Sequence, residues 1–333
     1  MKRRITLFSG QFADLSIQEF AAKAADWGYD GVELACWGQH LNVPRMIRDP
    51  SYAKQVRAIL DDAGLSCSVI SSHLVSQAVC DLIDDRHRRI LPPSIWGDGE
   101  PEGVRRRAEE RMKDTARAAA EFGADTVVGF TGSSIFHFFN GWPPVPAELV
   151  EDGYADFAAR WSRILDAFDQ YGVRFAFEAM PGEIGYDAQT IKRAFDAIGG
   201  RPSFGLNFDP THLHWQLLDE PAFVQEFGDR IFHVHCKDAR RRLDGRRSVL
   251  ASHLPGGHLG RGWDFVSVGH GDVPFEEIIR SLDAVGYAGP LSVEWEDSQM
   301  DREAGAAEAV GYLRRLGFDQ PSASWASSFA TPE

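Results

Sequence analysis

Short apolar runs rich in Val, Ile, Leu and Phe alternate along the chain with longer stretches of helical periodicity, and the alternation repeats about eight times. The runs are ITLFS (5–9), GVELAC (31–36), LSCSVISSH (65–73), DTVVGF (125–130), RFAFEA (174–179), SFGLNFD (203–209), IFHVHC (231–236) and LSVEWE (291–296). Between them, stretches such as 16–29, 104–123 and 275–287 read as helices. Several end in a glycine just ahead of the next strand, as in WGYDGVEL, EFGADTVV and QYGVRFAF, which fits a left-handed cap followed by a tight turn. Eight βα units with no dividing linker predict one α/β domain over residues 1–318, a (β/α)8 TIM barrel with long insertions at its C-terminal rim. A doubly wound open sheet is the alternative. Residues 319–333, DQPSASWASSFATPE, read as a loosely structured tail.

Composition narrows the partners. With 333 residues, 44% hydrophobic and 25% charged, the chain can bury a sizeable core. Its formal net charge of -14 opposes nucleic acid and anionic membrane as partners. There is no apolar run of about 18 residues to span a bilayer. The four cysteines form no CxxC pair, so reduced thiols and a cytoplasmic location are expected.

In such a barrel the chemistry sits where strands end at the C-terminal rim. Strand five ends in Glu178 (AFEAMPGE), strand six in Asp209 (LNFDPTHLH), strand seven in His235, and strand eight in Glu294, followed by Glu296 (LSVEWED). A lone carboxylate at a strand end is most often solvated or half of an ion pair. Four consecutive strands ending in Glu, Asp, His and Glu differ, because carboxylates aimed into a barrel mouth need a partner to offset their desolvation. Three carboxylates and one imidazole make an oxygen-rich donor set, better suited to Mn²⁺, Mg²⁺ or Co²⁺ than to a tetrahedral structural Zn²⁺. Period two puts His233, His235 and Lys237 on one face of strand seven, with His233 deepest, where a core histidine is expected, and Lys237 at the rim. His73 at the end of strand three and Glu33 in GVEL face the same mouth, either touching substrate or orienting a ligand. His270, in GHGD, is a candidate lid residue; His214 and Trp215 carry little weight.

The segments FAFEAMP, NFDPTHL, HVHCKD and LSVEWED, with GYDGVEL and GHGDVPFEEII, resemble the xylose isomerase-like TIM-barrel superfamily of sugar and sugar-phosphate isomerases and epimerases, over residues 4–318. The resemblance implies that Glu178, Asp209, His235 and Glu294 hold one divalent ion, Mn²⁺ first, with Mg²⁺, Co²⁺ and Zn²⁺ as alternatives. Glu296 shares a face with Glu294 and competes for its place. It also implies that Glu178 and Glu294 move protons on opposite faces of the substrate, and that His212 and Lys237 contact substrate oxygens. The expected activity is metal-dependent sugar isomerisation or epimerisation, with glutamates passing a proton through an ene-diolate held on the metal. Loss of a β-leaving group at the same site gives a lyase instead, an inosose-type dehydratase or a 3-keto-glycoside eliminase that includes C-glycoside cleavage. An endonuclease IV-like repair enzyme is a remote alternative, opposed by the acidic charge.

Three insertions fall on the expected rim: 74–103, the stretch TGSSIFHFFNGWPPVPAELV, and 239–272. They carry Trp96, Phe136, Phe138, Phe139, Trp142 and Trp263, which either wall a site for a small-molecule sugar or keto-sugar, unphosphorylated or a glycoside with a bulky aglycone, or bury the loops themselves or form a dimer contact. Arg240 to Arg242, with Arg246 and Arg247, either meet a phosphate or form a solvated charge run. The insertions and the tail are also where a second copy would dock, making a homo-oligomer.

Overall fold

The structure is a computed structural model and describes residues 3–317. The expected tail, 319–333, lies outside the described residues. In chain order the strands are β1 (Ile5–Phe8), β2 (Gly31–Ala35), β3 (Ser66–Ser71), β4 (Thr126–Gly129), β5 (Arg174–Glu178), β6 (Phe204–Phe208), β7 (Ile231–Cys236), β8 (Asp238–Arg241), β9 (Trp263–Val266) and β10 (Leu291–Val293). Eight of them close a parallel barrel in the order β1, β10, β7, β6, β5, β4, β3, β2. This is the TIM barrel that the alternation predicts, and the open sheet is excluded by the pairing of β1 with β10.

Seven of the eight expected strands are shorter than predicted, and two of them stop two or three residues early at the C-terminal end. β10 stops at Val293, so Glu294 and Glu296 follow the strand on its loop, and β3 stops at Ser71, so His73 opens the short helix His73–Gln77. The insertion after β7 folds into an antiparallel hairpin, β8 on β9, with Ala239 opposite Phe265. Its first strand, DARR, has no apolar signal, which is why the sequence pattern gives only an insertion there.

Caps set the helix ends. Ser16 and Glu19 form a reciprocal capping box at the start of the helix Ile17–Asp26. The two long helices, Pro101–Phe122 and Ala147–Tyr171, end at Gly123 (φ 83°) and Gly172 (φ 66°), left-handed conformations that a Cβ would strain. They are tied together by Arg163, whose guanidinium donates to both Glu109 oxygens at 2.7 Å. Behind β5 and β6 the layer is aromatic. Phe204, fully buried, meets Phe157, Trp161, Phe175, Phe177 and Phe195 at centroid distances of 5.1–6.2 Å. A separate small cluster of Val69, Val128 and Ala176, with Phe232 against it, packs apart from this core. Every barrel strand carries a buried polar group, and those with charged or imidazole side chains are Glu33 on β2, Glu178 on β5, and His233 and His235 on β7. Among the described residues no helix is long and apolar enough to cross a membrane.

Because Phe204 touches five rings, Phe204→Ala should cost about 3–5 kcal/mol, whereas Phe139→Ala, at a side chain 57% exposed, should stay within about 0.5 kcal/mol. Urea unfolding of both variants checks this; equal losses would show that the aromatic layer is not where the stability lies.

Candidate functional site

Barrel order makes β5, β6, β7 and β10 consecutive neighbours, so groups at their C-terminal ends converge. Glu178 ends β5, Asp209 caps the helix Pro210–His214 directly after β6, His235 sits on β7 and Glu294 follows β10. One ligand atom from each lies within 4.8 Å of the other three, and all four side chains are buried. Glu296 stays outside this group, with its side chain 37% exposed.

Burial alone would neutralise these carboxylates, and neighbouring cations prevent it. Burial raises the Glu178 pKa, but His212 (3.0 Å), His235 (3.2 Å) and His73 (3.3 Å) outweigh it and hold the carboxyl well below its ordinary value. Asp209 is lowered against its burial by His212 and Lys237, and Glu294 by Lys237 and His235. The cations respond in the opposite sense. Burial lowers His212, yet Asp209 and Glu178 bring it up to about 9. Lys237, 3.2 Å from Glu294 and 3.5 Å from both Asp209 and Glu296, is pushed well above its usual range against its own burial. Glu296 moves the other way, raised by burial and by Glu294 despite Lys237.

The donor set fits a divalent cation. His235 Nδ1 lies 3.0 Å from Glu294 and 3.2 Å from Glu178 but makes no aligned hydrogen bond, and the buried Asp209 Oδ2 has none either. Oxygen and nitrogen atoms that converge without bonding one another suit a hard or borderline cation between them. Such an ion would be held by Glu178, Asp209, His235 and Glu294.

The other expected residues are distributed around this centre. His212 and Lys237 flank it, and Lys237 lies 4.4 Å from the Phe265 ring centre. His73 is buried between Glu178 and the Phe130 ring. Glu33 and His73 are not paired with each other: Glu33, fully buried, takes His233 and His235. His233 is indeed deep, with no exposure. His214 pairs with Glu220 at 2.6 Å, and Trp215 stacks on Trp263 at 4.8 Å. His270 reaches Glu308 on the last helix. The arginine run is engaged within the insertion: Arg240 donates to the His270 carbonyl and Arg242 pairs with Asp264. Of the insertion aromatics, Trp263 is buried, while Phe139 and Trp142 are exposed.

Sequence reasoning missed four groups. Asn207 Nδ2 donates to Glu178 Oε2 (2.7 Å), and its place two residues before Asp209 was the available signal. Gln11 Nε2 donates to Glu294 (3.2 Å) from the turn after β1, and Ser292 Oγ donates to Glu33 (2.6 Å). Glu183, on the loop after β5, accepts from Thr131 N, Thr131 Oγ1 and Gly132 N. Burial, then Asp81, push its carboxyl up to about 8 in spite of those bonds. Glu183 also borders a cleft of about 480 Å³ lined by Gln77, Asp81, His87, Phe136 and Met180. A larger cavity of about 690 Å³ opens beside Arg3, Arg4, Arg174 and Phe232, where the strands begin, and holds none of the converging ligands.

Residues 21–316 match the family described as the xylose isomerase-like TIM barrel. The chain belongs to this family. It is 33% identical over 180 residues to the uncharacterized protein YfiH of Bacillus subtilis, covering 52% of this chain and 57% of that one. An inosose dehydratase of Clostridium perfringens is 29% identical over 149 residues, 44% of this chain and 49% of the relative. A solved L-ribulose 3-epimerase shares the fold at TM-score 0.63 and 18% identity, covering 94% of each chain. Relatives and structural neighbours in this xylose isomerase-like family therefore include epimerases and dehydratases.

Two outcomes follow from the geometry. Asp209→Asn should lower Mn²⁺ retained after desalting far below the wild-type level, measured by elemental analysis; full retention would remove Asp209 from the ligand set. A carboxyl with a raised folded pKa contributes its stability fully below the ordinary 4.5 and loses it as pH climbs to about 8. Wild-type unfolding free energy should fall across that window, and Glu183→Gln should reduce the fall. An unchanged slope in the variant would show that Glu183 is ionised throughout.

Proposed function

We propose that this protein is a divalent-metal-dependent isomerase or epimerase of small sugars or keto-sugars. The observation that carries the reading is the pair of buried glutamates, Glu178 and Glu294, both held ionised within 3.2 Å of the same His235 nitrogen. A buried carboxylate that stays charged is a base placed out of water. One glutamate takes the proton next to the substrate carbonyl and can return it to the neighbouring carbon. For return to the same carbon from the opposite face, the other glutamate first accepts a proton from the cation beside it, Lys237 at Glu294 or His212 at Glu178, and passes that one on. Lys237 and the charged His212 stand where negative charge develops on substrate oxygens and stabilise it there. The ion held by Glu178, Asp209, His235 and Glu294, Mn²⁺ in preference, supplies Lewis acidity when bound. Asn207 fixes the orientation of Glu178, and Gln11 that of Glu294.

A second reading is a dehydratase, favoured by the identity to the inosose dehydratase. There the α-proton goes to a glutamate, the β-hydroxyl leaves with a proton from Lys237 or His212, and water is released.

Proton NMR in D₂O tests both, using the Mn²⁺-loaded protein with ketoses, inososes and 3-keto-glucosides, and chelation before detection. Deuterium next to the carbonyl with an epimer or isomer supports the first reading, and an unsaturated ketone supports the second. No exchange with any substrate overturns proton transfer. Glu178→Gln and Glu294→Gln should each reduce turnover by about 10²–10⁴-fold.

A further inference from the structure

We infer that Glu33 is a positioning residue of the metal centre: its carboxylate fixes which nitrogen of His235 is offered to the ion. The inference deepens the proposed function and rests on the metal-binding part of that reading. Glu33 lies on β2, across the barrel from β7, and is fully buried. It is the hub of four donors from three other strands. Ser71 Oγ comes from β3, Ser292 Oγ (2.6 Å) from β10, and His233 Nε2 (2.8 Å) and His235 Nε2 (3.0 Å to each oxygen) from β7. With four hydrogen-bonding groups converging on its two oxygens, the carboxyl is placed to accept and not to donate.

An ionised carboxylate only accepts hydrogen bonds. Every nitrogen facing Glu33 must therefore carry hydrogen, which puts the proton of His235 on Nε2. Without an ion the charged ring carries hydrogen on Nδ1 as well, and it is this second hydrogen that yields to a cation, because Nδ1 is the atom that reaches Glu178 and Glu294 without an aligned hydrogen bond. Phe8 stacks on the imidazole at 5.3 Å and restrains its rotation. A carboxylate behind a ligating imidazole both selects the tautomer and raises the basicity of the bound nitrogen. Ser71 and Ser292 donate to Glu33 from the two remaining sides, so the carboxylate is itself held in register with the ring.

Glutamine at position 33 keeps the shape but turns an NH₂ toward groups that are donors. Glu33→Gln should weaken Zn²⁺ and Mn²⁺ binding by about 10–100-fold in calorimetric titration, and Glu33→Asp, which keeps the charge, should recover part of it. In the Zn²⁺-loaded wild type, ¹⁵N NMR of the histidines should show His235 protonated at Nε2 and bound through Nδ1. Ser292→Ala removes one hydrogen bond to the same carboxylate but leaves its charge and its bonds to both histidines; it should lower the melting temperature and cost metal affinity several-fold less than Glu33→Gln.

Equal affinity losses in Ser292→Ala and Glu33→Gln would overturn the inference, as would unchanged affinity in Glu33→Gln or coordination through Nε2. A second equivalent of metal lost in Glu33→Gln would overturn it too, making Glu33, His233 and His235 ligands of their own ion. A wild type that takes up no divalent metal would instead defeat the metal-centre reading, and the role of Glu33 with it.

Discussion

The C-terminal end of the barrel depends on one electrostatic constraint: buried carboxylates must be kept charged. Glu33, Glu178, Asp209 and Glu294 are each at most 7% exposed, and at that depth an unpaired carboxylate would take up a proton. Each instead has cationic neighbours, and those neighbours are shared. His235 lies between Glu33 on one ring nitrogen and Glu178 and Glu294 on the other, while Lys237 reaches Asp209, Glu294 and Glu296. The result is a network whose members depend on one another, because removing one partner leaves a buried charge without compensation.

That constraint explains why the converging carboxylates and His235 were legible in the sequence. Only a strand that ends at a charged cluster closes a buried apolar run with Glu, Asp or His, so AFE, NFD, HVH and SVE stood out from the surrounding hydrophobic pattern. The barrel itself was equally legible, since its βα alternation is written in periodicities of two kinds. Period two also ordered His233, His235 and Lys237 along β7, and the depth of His233 agrees with it.

What escaped was set by contacts across the barrel and between loops. Glu33 was visible, but its partners lie 38 to 259 residues away in sequence. No local pattern distinguishes a residue that supports His235 from one that touches substrate. Asn207 and Gln11 are neutral amides, common on loops and strand ends, and matter only because they face Glu178 and Glu294. Glu183 is raised by burial under the loop after β4, which depends on how that loop closes.

The hairpin of β8 and β9 is where this chain departs from a bare barrel, and it is coupled to the ligands instead of merely covering them. Trp263 on β9 stacks on Trp215 at an interplanar angle of 3°, and Trp215 closes the short helix that begins at Asp209 and carries His212. Phe265, two residues along β9, sits edge-on to His212 at 5.8 Å and beside Lys237. The hairpin thus excludes water from the two cations that face the carboxylates, and with less water each of those charges acts more strongly on what lies between them. If Glu178, Asp209, His235 and Glu294 hold an ion as proposed, they leave open where a proton or hydroxyl goes, and the choice passes to the groups around them. On this side of the site, those groups are His212, Lys237 and the aromatic wall that the hairpin holds against them.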